Sequence, residues 1–134
     1  MTSETRPAVL IIDDDPGIRE LLRTLAERRG CAVVTAANGI EAIEKLKDAD
    51  FDLLVLDLMM PIMNGYDVVD QLKMMTTGNR PAVIVVTAGH EDARSMDRLD
   101  GRVVSSIVRK PFDIGAVSDF IQVTAAAVHD ARAA

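Results

Sequence analysis

Residues 8–36, AVLIIDDDPGIRELLRTLAERRGCAVVTA, change their apolar period twice. The run at 8–13 (AVLIID) is almost wholly apolar and short enough for a strand. The segment that follows places Ile18, Leu21, Leu22 and Leu25 on one stripe, with arginines on the opposite side and Gly30 as the stop. A second short apolar run, CAVVTA at 31–36, then begins. This is a strand, a surface helix with one buried face, and another strand.

The same alternation continues to the end of the chain. Further strands are expected at 52–57 (DLLVLD), 82–87 (AVIVVT) and 103–109 (VVSSIVR). Between them, GIEAIEKLKDAD carries Ile40, Ile43 and Leu46 behind a turn at Asn38-Gly39. YDVVDQLKMM carries Val68, Val69, Leu72 and Met75 behind a turn at Asn64-Gly65. EDARSMDRL offers only Ala93, Met96 and Leu99, so the fourth helix is expected to be the least firmly packed. The last helix should start at an Asp113 N-cap, and it carries Ile114, Val117, Phe120, Ile121 and Val128.

Four of the runs are too uniformly apolar for a sheet with one wet face, which predicts a parallel sheet covered by helices on both sides. Five strand–helix units are too few for a closed barrel, which needs about 200 residues or more. The expected fold is an α/β three-layer sandwich, flavodoxin-like (βα)5, with strand order 2-1-3-4-5. Ligands are then expected beyond the carboxyl ends of strands 1 and 3, where the winding reverses.

The 134 residues suit one domain, with a polar lead at 1–7 and a tail at 129–134. Apolar residues make up 49% and charged residues 27%, which argues against wholesale disorder. A net charge of −6 repels phosphate backbones and anionic membranes, so direct nucleic-acid or membrane partners are disfavoured. The single cysteine, Cys31, excludes an internal disulfide and reads as a small buried hydrophobe. MTSETRP lacks the apolar core of a signal peptide, and a cytoplasmic location is expected.

The residues that end the strands are polar in every chemically informative case. Strand 1 ends in Asp13-Asp14, strand 3 in Asp57, strand 4 in Thr87, and strand 5 runs into Lys110-Pro111. At an effective dielectric near 20, two carboxylates about 4 Å apart repel by roughly 4 kcal/mol, so either the acids point outward or something positive sits among them. An oxygen-rich site of this kind suits a hard divalent cation, most simply Mg²⁺. A hydroxyl and an ammonium beside it complement a tetrahedral dianion, and the chemistry suggested is phosphoryl transfer. Asp15, followed by Pro16, is read apart from its neighbours as the N-cap of the first helix.

In order and spacing, IIDDDPG, LVLDLMMPIMNG, VVTA and VRKPF resemble the signature segments of the receiver (CheY-like) domain of two-component response regulators, over about residues 8–128. The resemblance implies that Asp57 is a phosphoacceptor, loaded from a phosphohistidine on a histidine kinase or histidine phosphotransfer protein. It implies that Asp13, Asp14, Asp57 and the backbone carbonyl of Met59 hold Mg²⁺. Lys110 would bind the phosphoryl group, the Lys110–Pro111 bond would be cis, and Thr87 would switch toward the phosphoryl, shifting the loop and helix that follow. The aromatic switch residue that many members carry three positions before the lysine is Ile107 here. Such a domain catalyses only its own phosphorylation and dephosphorylation. Its output would pass to a downstream protein or a phosphorylation-dependent homodimer, since little chain follows the last helix.

Met59 and Gly89, two residues beyond Asp57 and Thr87, stand where the family tunes access of water to the aspartyl phosphate. Neither carries charge, so persistence of minutes or longer is expected. The alternative is a scaffold of the same fold that works without phosphorylation; its mark would be loss of an acid, the threonine or the lysine, and none is lost. A Mg²⁺-dependent phosphatase would show an acid at Met59, and a flavodoxin would show a phosphate-cradling loop in place of the aspartates. His90 and His129 read as surface histidines, and the seven methionines as core filler and ordinary surface.

Overall fold

The structure is a computed structural model, which describes residues 6–75, 80–89 and 93–133. In chain order the elements are β1 (Ala8–Ile12), α1 (Pro16–Arg28), β2 (Ala32–Ala36), α2 (Gly39–Asp48), β3 (Leu53–Asp57), α3 (Gly65–Lys73), β4 (Ala82–Thr87), α4 (Ala93–Met96), β5 (Val104–Arg109) and α5 (Ile114–Ala133). The strands form one parallel sheet in the order β2-β1-β3-β4-β5. This is the flavodoxin-like order expected from the alternation, with the winding reversing between β1 and β3.

Successive side chains of a strand point to opposite faces, so each central strand contributes to both layers of core. Leu10, Ile12, Leu54, Leu56, Val83 and Val85 pack with Val68, Val69 and Leu72 of α3 on one face. Val9, Ile11, Leu53, Val55, Ile84 and Val86 pack with Leu22 and Leu25 of α1 and Val117 and Ile121 of α5 on the other. Burial on both faces is why β1, β3 and β4 read as unbroken apolar runs. The outer strands differ: Val34 of β2 is 38% exposed, and β5 alternates between covered and open positions. The uniform apolarity of 31–36 therefore marks an edge strand, not one covered twice.

The helix starts are fixed by side chains. Asp15 Oδ1 accepts the N–H groups of Gly17 and Ile18 at 2.8 and 3.2 Å, as expected of a cap. Asn38 and Asn64, read from sequence as turn residues, are N-caps as well. Asn64 Oδ1 accepts from Asp67 N–H while Asp67 Oδ2 accepts from Asn64 N–H, a reciprocal capping box that starts α3 immediately after Asn64. Asp113 Oδ1 accepts Ala116 N–H at 2.8 Å at the head of α5.

Two expectations are corrected. The fourth helix was expected over 91–99, but its described part is only Ala93–Met96 followed by a turn, with Leu99 half-buried against the core. Its apolar set is too sparse to bury a longer face. Residues 129–133 of the expected tail are instead the end of α5, and His129 is not a bare surface histidine. Asp52, 5% exposed at the amino edge of the sheet, accepts Ala8 N–H at 2.8 Å, has His129 Nδ1 at 3.1 Å and accepts from Arg132 Nη1 at 3.1 Å. Arg132 also donates to the Phe51 and Arg80 carbonyls. A buried carboxylate needs such partners, and meeting that need holds the last turn of α5 in place. His90 lies outside the described residues.

Candidate functional site

β1 and β3 are neighbours, so the residues at their carboxyl ends meet. Asp57 is the last residue of β3 and is 6% exposed; Asp13 follows β1 and is 1% exposed, while Asp14 is open to solvent. One carboxylate oxygen from each of Asp13, Asp14 and Asp57 can be chosen so that all lie within 4.8 Å of one another. Asp15 turns away to its capping role. The run of aspartates thus divides into two that face the site and one that belongs to the helix.

Lys110 reaches this cluster from β5. Its Nζ lies 3.4 Å from Asp13 Oδ2 and 3.9 Å from Asp57 Oδ1. Asp13 Oδ1 accepts Asp15 N–H at 2.9 Å, and Asp57 Oδ1 accepts Met59 N–H at 3.3 Å. One ammonium does not balance this much negative charge. Burial pushes the Asp57 carboxyl up, and the Asp13 charge pushes it further. Lys110 and the Met59 N–H offset only part of this, leaving Asp57 at about 7. A hard divalent cation would supply the balancing charge, and the three carboxylates could hold one.

Thr87 ends β4 one residue beyond Val86, the register partner of Asp57, and is fully buried. Its Oγ1 accepts Gly89 N–H at 3.2 Å, and its carbonyl accepts Lys110 N–H at 2.7 Å, which ties the ends of β4 and β5 together. The Lys110–Pro111 peptide is cis. Ile107 is 40% exposed on β5, and Met59 presents its side chain outward at 63%. The structure thus gathers Asp13, Asp14, Asp57, Thr87 and Lys110 at one sheet edge and leaves Ile107 on the outer strand.

Two contacts go beyond the sequence reading, which had Gly65 as a turn residue and Arg109 only as part of VRKPF. Gly65 sits so close to the strand end that a Cβ there would meet the Asp57 carbonyl oxygen at 2.4 Å and Leu58 Cα at 2.8 Å. Only glycine lets α3 start against the backbone at the end of β3. Arg109, in register with Thr87, lays its guanidinium against Gly89. Its place immediately before Lys110 was the available signal, since strand alternation sends the two cations to opposite faces.

The sequence profile of the response regulator receiver domain matches residues 9–122. Transcriptional regulatory protein ResD of Bacillus subtilis is 39% identical over 111 residues, which cover 83% of this chain and 44% of ResD. This chain therefore spans less than half the length of that relative. Chemotaxis protein CheY of Halobacterium salinarum is 31% identical over 113 residues, covering 84% of this chain and 92% of CheY. Among solved structures, chemotaxis response regulator CheY4 of Vibrio cholerae superposes with a TM-score of 0.79 at 26% identity, covering 90% of this chain and 99% of that one. A CheY-like receiver domain from Methanospirillum hungatei shares the fold with a TM-score of 0.82 at 21% identity, covering 94% and 98%. With the family profile matched over nearly the whole sheet and its helices, the chain belongs to the response regulator receiver domains of two-component signalling.

Proposed function

We propose that Asp57 accepts a phosphoryl group from a phosphohistidine on a histidine kinase or histidine phosphotransfer protein, with Asp13, Asp14, Asp57 and the Met59 backbone carbonyl holding Mg²⁺. An Asp57 carboxylate oxygen forms the new bond to phosphorus as the P–N bond breaks. The imidazole keeps that electron pair, and the product is an aspartyl phosphate. Bound Mg²⁺ neutralises charge on the carboxylates and on the transferring phosphoryl. Asp57 must be ionised to attack, so a cation that draws its raised pKa back down favours reaction at neutral pH.

The chain's own residues supply the rest. Lys110 moves from its resting contact with Asp13 to the phosphoryl oxygens, and Thr87 donates its hydroxyl from the buried end of β4. Gly89 N–H is bonded to the same Oγ1, so drawing the Thr87 hydroxyl toward the phosphoryl carries the chain leaving β4 with it. That shift alters which surface is offered to a downstream protein or to a second copy of the domain. The chain turns over no metabolite, acts in the cytoplasm, and releases its phosphoryl over minutes or longer.

The observation that carries this reading is the convergence of Asp13, Asp14 and Asp57 within 4.8 Å, with Lys110 Nζ 3.9 Å from the buried Asp57. Incubation with acetyl phosphate and Mg²⁺, followed by intact mass, tests it. One added phosphoryl is expected, dependent on Mg²⁺ and lost in Asp57→Asn. No gain under any condition would favour a scaffold that works without phosphorylation.

A further inference from the structure

Gly89 has no side chain and stands at φ +87°, two residues beyond Thr87. A Cβ built there would lie 3.0 Å from Arg109 Nη1 and 4.0 Å from Arg109 Cδ. The guanidinium therefore fills the volume that a side chain at position 89 would otherwise take. Arg109 reaches it from β5, where it is paired in register with Thr87, and it is exposed. Among the described residues no carboxylate pairs with it, whereas its neighbour Lys110 is held by Asp13 and Asp57.

We infer that Arg109 is a positioning residue that lengthens the life of the aspartyl phosphate by lying over Gly89 and screening the Thr87 end of the site from water. The inference rests on Asp57 being the phosphoacceptor. In hydrolysis a water oxygen forms a bond to phosphorus and the bond from phosphorus to the Asp57 oxygen breaks. Asp57 regains its carboxylate, and the water's proton passes to the released phosphate or to solvent. A general base beside Thr87 would speed this step. Arginine has five donors, no acceptor, and does not deprotonate in proteins, so it cannot be that base. What it adds is bulk over a bare backbone and a positive charge that holds the loop against a dianion. Position 89 thus carries a charge although its own residue does not.

The test compares wild type, Arg109→Ala and Arg109→Lys, each phosphorylated with acetyl phosphate and Mg²⁺, desalted, and followed by intact mass as the phosphoryl is lost. Arg109→Ala is expected to shorten the half-life about threefold or more, and Arg109→Lys to restore most of it, because the lysine keeps the charge and much of the reach. Raising ionic strength should shorten the wild-type lifetime while leaving that of Arg109→Ala nearly unchanged, a dependence that lost packing alone would not produce. Equal half-lives in wild type and Arg109→Ala, or equal shortening in both variants, would overturn the inference. If wild type takes up no phosphoryl, it is the assignment of Asp57 that fails.

Discussion

The Lys110 ammonium stands closer to Asp13 Oδ2, at 3.4 Å, than to Asp57 Oδ1, at 3.9 Å. In this state the lysine is shared across the acidic cluster, and its charge is one of the influences that lower the Asp57 pKa. Lys110→Met should therefore push Asp57 still further up and slow labelling by acetyl phosphate by about tenfold or more, since the phosphoryl also loses a cation. Initial labelling rates across a pH series read both effects, with the acid limb of the profile moving to higher pH.

Asp57 ties metal-free stability to pH. Its carboxyl rises from 3.8 to about 7 on folding, so between those values the folded chain binds more protons than the unfolded chain. Stability in the presence of a chelator should fall as pH rises through that window and be lowest above it. Asp57→Asn removes the buried charge. At pH 8 it should stabilise the metal-free protein by on the order of 2 kcal/mol, and it should flatten the pH slope. Thermal unfolding of both proteins from pH 4 to pH 8 measures this, and Mg²⁺ should stabilise wild type more than the variant.

Gly65→Ala meets backbone on two sides, the Asp57 carbonyl oxygen at 2.4 Å and Leu58 Cα at 2.8 Å. Neither can step aside as a side-chain tip would. A loss of about 2–4 kcal/mol in urea denaturation is expected, with slower labelling because the acceptor strand end must shift. Gly101→Ala, where a Cβ meets nothing within 4 Å, is the matched control and should change stability by no more than about 0.5 kcal/mol.

At the other edge of the sheet, Asp52→Ala should cost about 2–4 kcal/mol, because it leaves Ala8 N–H and Arg132 without their carboxylate. Arg132→Ala should cost less, and the double variant less than the sum of the two, since they share one network. Urea denaturation of the cycle checks it. Labelling of Asp57 should survive at reduced stability, because this cluster lies at the amino ends of the strands.

The fold was legible because β1, β3 and β4 are covered on both faces, which writes burial directly into consecutive residues. The site was legible because its members occupy strand ends, where parallel topology brings them together whatever their separation in sequence. The structure added what depends on tertiary reach. The Asp52, His129 and Arg132 cluster joins residues far apart in the chain and on different elements, so no local period reveals it. The caps at Asn38 and Asn64 passed as turns because Asn-Gly serves both. Register pairs Arg109 with Thr87, and its place beside Lys110 put it on the opposite face of β5, but its contact with Gly89 depends on the reach of its side chain, which no local pattern shows.

The most direct measurement of the central claim places the phosphoryl on a residue. Wild type phosphorylated with acetyl phosphate and Mg²⁺ is reduced with borohydride, which converts an aspartyl phosphate to homoserine, then digested and sequenced by tandem mass spectrometry. The account predicts homoserine at position 57 and none at 13 or 14. Homoserine at Asp13 or Asp14, or at no position in protein that has gained a phosphoryl, would contradict it.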